Sequence, residues 1–175
     1  MALGRDHDRA TLVACIPFGL SLTPWLGLEA GLLGAGSFLV GGLWLSPDLD
    51  THSKPLHRWG ALRWIWWPYR RLIPHRSLLS HGPLIGMALR LLWLLSCSLL
   101  GWLLLRMLLQ TLLELSLASP RELTETLLAN ALSRPPLVLS MALGLETSVW
   151  LHLQMDGDPL PVKWRRWRRR KGHRQ

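Results

Sequence analysis

The residues that can do chemistry fall in four places. Asp48 and Asp50 stand in Ser46-Pro47-Asp48-Leu49-Asp50-Thr51-His52-Ser53, and His75 and His81 in His75-Arg76-Ser77-Leu78-Leu79-Ser80-His81-Gly82-Pro83. His152 and Asp156 are four apart, and His7 lies near the start. Imidazole and carboxylate without thiolate suit zinc, or else manganese or iron at a mixed nitrogen–oxygen site. On a helix, a spacing of four puts His152 and Asp156 on one face. Such a set exceeds the needs of one tetrahedral structural ion. Catalytic zinc keeps an open position, and two-metal sites use bridging carboxylates. The residues therefore favour hydrolysis, with Asp48 or Asp50 as ligand or general base and Arg76 as a fork for a phosphoryl oxygen. Each signal also has a bland reading: a solvated or capping Asp48-x-Asp50, loop histidines at 75 and 81, an interfacial His152 with a helix-terminal Asp156.

These residues need elements to bring them together. The chain has 175 residues, 49% of them hydrophobic and only 18% charged, yet its net charge is +9. So apolar a chain is not disordered. Its two cysteines, Cys15 and Cys97, each lie inside an apolar run, which excludes a disulfide scaffold. Apolar and basic at once is the signature of a membrane protein whose charge is confined to its loops. A span needs about 20 apolar residues, with a floor near 17. Residues 10–28 and 30–47 carry no charge, which predicts a helical hairpin with its turn near 26–31 and Glu29 at the tip. Pro17, Pro24 and the glycines between Gly31 and Gly42 make these helices irregular. Residues 82–109, broken by Arg90 and Arg106, form a third run, and 135–155 a fourth, broken by Glu146 and His152. Arg90 and Glu146, opposite charges inside the bundle, are expected to pair. Ser119-Pro120 with Glu122 reads as a helix start in the connection between the last two runs.

Orientation follows from the basic residues. The 46–81 loop and the tail from Lys163 together hold fourteen Lys and Arg, whereas 110–134 holds three Glu and two Arg. The loop, the tail and both termini are then cytoplasmic, in an all-α bundle of about four transmembrane helices. Residues 1–162 form one membrane-embedded domain and 163–175 a disordered basic tail. A soluble bundle of very apolar helices is the competing reading. The N-terminus, with Asp6 and Asp8 and no small-residue cleavage site, does not read as a secretory signal. On this topology His7, Asp48, Asp50, His52, His75, His81, His152 and Asp156 all lie at the cytoplasmic ends of the spans, although the topology used only apolar length and Lys/Arg counts.

In the loop, Trp59, Trp64, Trp66, Trp67 and Tyr69 alternate with Arg58, Arg63, Arg70 and Arg71. Indoles settle at the membrane boundary and arginines suit anionic headgroups, so an interfacial helix ending near Pro68 is expected within 54–73. Trp–Arg interleaving can also stack on nucleic acid, as can the run from Trp164, but the apolar spans favour a juxtamembrane anchor.

Three stretches carry a resemblance: Ser46-Pro-Asp-Leu-Asp-Thr-His-Ser, the Trp-rich block from Arg58 to Arg70, and His75-Arg-Ser-Leu-Leu-Ser-His-Gly-Pro. The chain resembles a bacterial family of uncharacterised metal-binding membrane proteins over nearly its whole length. More distantly, it is similar to the inner-membrane metal-dependent hydrolase family. The resemblance implies an inner-membrane location and a metal group of His7, Asp48, Asp50, His75, His81, His152 and Asp156. His52 fits the closer family's block only, and His57 fits neither pattern. Gly82 stands where the distant family has Ser after the second His.

Three functions follow as expectations. The first is a membrane-bound metal hydrolase, zinc its best-suited cofactor, acting on a lipid-like or phosphorylated substrate at a surface of anionic headgroups. The second is a non-enzymatic metal-binding membrane protein, such as a chaperone, a sensor or an assembly factor. The third is a structural or nucleic-acid-tethering protein whose Trp/Arg tail does the work.

Overall fold

A computed structural model describes residues 4–157, so the basic tail from Lys163 lies outside the described residues. Among these there are eight α-helices and no strand. Four helices are long and apolar enough to cross a membrane by length and composition, spanning Gly4–Leu26, Leu28–Asp50, Ile85–Leu113 and Pro135–Met155.

α1 (Gly4–Leu26) and α2 (Leu28–Leu43) form the expected hairpin. Its turn is one residue, Gly27, with φ 88° and ψ 164°, a backbone region that only glycine enters at low cost. Glu29 is not at the tip. It sits in the first turn of α2, where a carboxylate meets the positive end of the helix.

The glycines have a use that the sequence reading missed. A Cβ on Gly19 of α1 would stand 2.7 Å from the carbonyl oxygen of Gly31 in α2. A Cβ on Gly144, in the helix Pro135–Met155, would run into the Gly34 carbonyl and lie 2.9 Å from the Phe38 nitrogen. These positions are therefore contact surfaces where three helices touch backbone to backbone, a packing that suits small residues.

The segment from 44 to 84 folds as short pieces. Pro47–Asp50 is a 3₁₀ turn, followed by α3 (Lys54–Arg58), a second 3₁₀ turn at Gly60–Ile65, α4 (Trp66–Leu72) and α5 (Leu78–His81). The single interfacial helix ending near Pro68 is therefore corrected. Gly60, at φ 53°, interrupts the chain, and Pro68 lies in the first turn of α4, where its missing N–H costs no helical hydrogen bond. Nor do all the aromatic side chains face outward. Trp66 and Tyr69 are fully buried with Leu49, Leu56, Val149 and Leu153. Burial pushes the Tyr69 phenol up, against the pull of the neighbouring Arg90. Trp64 and Trp67 remain exposed, with the Arg71 guanidinium 4.4 Å above the Trp67 ring.

α6 (Ile85–Leu113) is the longest helix, and its Leu92, Leu95, Leu104 and Leu112 are all more than half exposed. α7 (Pro120–Ser133) begins at the expected Ser119, whose hydroxyl accepts from the Glu122 N–H while the Glu122 carboxylate accepts from the Ser119 N–H. α8 (Pro135–Met155) then returns along α2. At its start, Arg134 lies 3.6 Å from Glu29. Helical rise carries the chain roughly 27 Å from Arg134 to His152. The start of α1, the end of α2, the short pieces and the end of α8 thus meet at one pole, and the hairpin turn lies at the other.

Candidate metal centre

The fold brings all seven predicted residues to that pole. His7 comes from the first turn of α1, Asp48 and Asp50 from the 3₁₀ turn after α2, and His75 from the loop after α4. His81 ends α5, His152 lies in the last turn of α8, and Asp156 caps that helix. They form three overlapping groups: His7, His152 and Asp156; Asp48, His81 and His152; Asp50, His75 and His81. Within each group the candidate ligand atoms lie within 4.8 Å of one another.

The contacts run continuously across the pole. His7 Nε2 is 3.2 Å from Asp156 Oδ1, and its ring stacks on that of His152 at 4.1 Å. His152 Nε2 is 3.7 Å from both Asp156 Oδ2 and Asp48 Oδ1. Asp48 Oδ1 is in turn 3.6 Å from His81 Nε2. Asp50 Oδ2 lies 3.7 Å from His81 Nδ1, while Asp50 Oδ1 receives a hydrogen bond of 2.8 Å from His75 Nδ1. The cluster is buried on one side and open on the other: the side chains of His81 and His152 are 5% exposed, those of Asp48 and His75 30% and 41%.

Four of its atoms, His81 Nε2, His152 Nε2, Asp50 Oδ2 and His7 Nδ1, are buried and make no hydrogen bond. Buried polar atoms without partners are rare and costly. A divalent cation among them would satisfy both the imidazole lone pairs and the carboxylate charge, so the residues fit a metal. Residues 2–168 match the model of a family described as uncharacterized metal-binding protein (DUF2227). The chain belongs to this family. It is also 41% identical, over 58 residues, to an uncharacterized protein of Aquifex aeolicus (strain VF5). That alignment covers 33% of the chain and 40% of the relative's length. No solved structure matches the chain.

In this member of the metal-binding family, two serines that sequence reading overlooked hold the imidazoles. Ser80 Oγ donates to the Pro74 carbonyl at 3.1 Å and sits 2.9 Å from His81 Nδ1. Its proton being committed, Ser80 accepts from Nδ1–H, which leaves the His81 Nε2 lone pair facing Asp48. Ser46 Oγ stands 3.4 Å from His152 Nδ1, within hydrogen-bond reach of that ring. Outer contacts of this kind fix ligand orientation and tautomer in metal sites. Ser80 directly precedes His81, a hint that was available in the sequence. Nothing in the chain marks Ser46 as a partner of His152.

The surrounding charges also have definite partners. Asp8 accepts from Arg58 Nη2 at 2.6 Å and lies 3.5 Å from Lys54 Nζ, which ties the start of α1, and so His7, to α3. The expected Arg90–Glu146 pair is corrected. Arg90 is fully buried and donates to the Ser80 carbonyl at 2.7 Å, directly behind His81. Glu146 Oε1 instead accepts from the Leu84 N–H at 2.8 Å. Leu84 has φ 59° and ψ −56°, with an Ile85 N–H to Pro83 carbonyl hydrogen bond of 2.7 Å, a strained γ-turn that needs such support. His52 and His57 are exposed and belong to none of the three groups. Arg76 follows His75 at φ 55°, is half-buried, and has no side-chain partner among the described residues.

Proposed function

We propose that this protein is a membrane-embedded, metal-dependent hydrolase that acts on a phosphoester at the cytoplasmic membrane surface. The observation that carries the reading is the set of buried, unpartnered ligand atoms on a cluster that is open at Asp48 and His75. A purely structural site is normally closed on all sides, whereas a catalytic one keeps a face for substrate. The four long apolar helices and the exposed leucines of α6 support the membrane location. The excess of Lys and Arg in the 46–81 loop and the tail supports placing that pole and both termini on the cytoplasmic side. Exposed Trp64 and Trp67, with Arg71 beside them, support contact with anionic headgroups.

His7, Asp48, Asp50, His75, His81, His152 and Asp156 would hold the metal, with zinc suited to the donor set and manganese or iron as alternatives. A divalent cation supplies Lewis acidity toward water and toward a phosphoryl oxygen. Asp50 holds the exposed His75 imidazole in one orientation by accepting from its Nδ1–H. Asp48 presents the solvent-facing carboxylate, for ligation or for taking a proton from water. Arg76, whose guanidinium is uncommitted among the described residues, is the group that would grip a phosphoryl oxygen.

The test combines metal content with turnover. Purified wild type should contain stoichiometric transition metal and hydrolyse bis(p-nitrophenyl) phosphate or a phospholipid headgroup ester. Asp50→Ala should hold less metal than wild type and lose hydrolysis, and Arg76→Ala should keep the full metal content and lose at least tenfold in rate. Full metal content with no hydrolysis of either probe would instead select the second reading, a non-enzymatic metal chaperone, sensor or assembly factor. The deep burial of His81 and His152 is the observation that favours that alternative.

A further inference from the structure

The geometry points to two cations rather than one, held side by side and bridged by Asp48. This rests on the metal-dependent reading of the cluster above and adds its count and layout. The three groups are not equivalent. His7, His152 and Asp156 share no residue with Asp50, His75 and His81, so each triad can serve an ion of its own. The middle group borrows one histidine from each triad and adds only Asp48. Asp48 Oδ1 stands between the triads, 3.6 Å from His81 Nε2 and 3.7 Å from His152 Nε2, and the centroids of those two rings are 6.1 Å apart.

Coordination number argues in the same direction. Four imidazoles and three carboxylates are too many for one tetrahedral zinc. Divided as three and three, with one shared carboxylate, they give each ion four protein ligands. Each triad also holds an independent sign of an unfilled role. On the first side His152, 5% exposed, has an Nε2 with no hydrogen bond; on the second, Asp50, 6% exposed, has an Oδ2 with none. A single ion placed in either triad would leave the other side's buried atom unsatisfied. Paired ions about 4 Å apart clamp the attacking and leaving oxygens of an in-line displacement, so the layout suits the phosphoester already proposed. Arg76, next in the chain to His75, is suited to the remaining phosphoryl oxygen.

Elemental analysis of the purified full chain, loaded with Zn²⁺ or Mn²⁺ and freed of excess ion, decides the matter. Wild type should hold two ions per chain. His7→Ala and His75→Ala, which strike opposite triads, should each hold one, and the double variant none. His75 lies at the exposed rim, so its replacement spares the fold even if His7→Ala does not. In the manganese form, wild type should give the exchange-coupled electron paramagnetic resonance spectrum of a bridged pair, and Asp48→Asn should lose that coupling. One ion in wild type, or a His75→Ala variant that is empty or unchanged, overturns the pair while leaving a metal-dependent hydrolase standing. A wild type with no ion overturns both.

Discussion

The two poles of the bundle are built by opposite means. At the cluster pole, charged and polar side chains are buried, and their partners are far away in the chain: His7 meets Asp156, Ser46 meets His152, and Arg58 meets Asp8. At the hairpin pole, the polar contacts are exposed and mostly local. Ser119 and Glu122 cap α7, Arg121 pairs with Glu125 one turn on, and Glu29 faces Arg134 at the surface. Exposed pairs of this kind contribute little to stability, whereas buried polar groups cost several kcal/mol if a partner is removed. The cluster pole is therefore the one whose integrity depends on the whole fold, and the helix contacts between the poles transmit that dependence.

The largest effect should come from those contacts. α2 leads into Asp48 and Asp50, α8 carries His152, and the two helices touch at Gly144 and Gly34. Gly144→Ala puts a methyl group into backbone that cannot yield as a side chain can. We expect a loss of about 1–3 kcal/mol, read as a lower Tm, together with weaker metal retention because the aspartates shift relative to His152. Gly101 in α6 is the control, since a Cβ there meets nothing within 4 Å. Gly101→Ala should be neutral or gain up to about 1 kcal/mol from helix propensity. Equal effects at the two glycines would remove the packing distinction.

The contrast between the poles also decides what sequence alone could reveal. The four long helices were legible because apolar length is a local property, and the α7 start because a capping box spans only four residues. The seven cluster residues were legible through topology, which offered His52 beside them: helices of similar length bring their ends to the same pole, whatever the details of packing. What stayed hidden was set by contact rather than by period. The glycines of α2 look like flaws until a neighbouring backbone lies against them. Trp66 and Tyr69 read as interfacial aromatics, because nothing in a Trp–Arg alternation says which rings turn inward. Arg90 and Glu146 look like an ion pair by charge and depth, yet each is taken by a nearer backbone group, Ser80 O and Leu84 N–H.

The separate partners of Arg90 and Glu146 support a second prediction, confined to the cluster pole. Arg90 fixes the Ser80 carbonyl, and Ser80 fixes His81, so Arg90→Met should loosen a ligand without entering the cluster. Outer-shell losses of this type lower metal affinity by roughly 10–100-fold, which competition against a chelator would measure. Stability should change less, since an apolar side chain of similar length fills the site and removes a buried charge. Glu146→Gln keeps a carbonyl oxygen for the Leu84 N–H and should change affinity less than about threefold, alone or beside Arg90→Met. Strong coupling between the two variants would restore the ion pair and break the relay from Arg90 through Ser80 to His81.

The smallest effect belongs to the hairpin pole. Hydrogen bonds from the Ser119 backbone N–H and side chain hold the exposed Glu122 carboxyl below the usual carboxylate range. A depressed folded value means that the charged form is favoured by folding. Its contribution is complete above the unfolded value of about 4.3 and is lost as pH falls through the lower, folded one. Acidification across that window should fray the first turn of α7, seen as faster amide exchange near 120–123, while metal content is compared at neutral pH only. Ser119→Ala should produce the same fraying at neutral pH, with the metal still bound. If Ser119→Ala instead released metal, the two poles would be coupled through α8, and the local character assigned to the hairpin pole would be wrong.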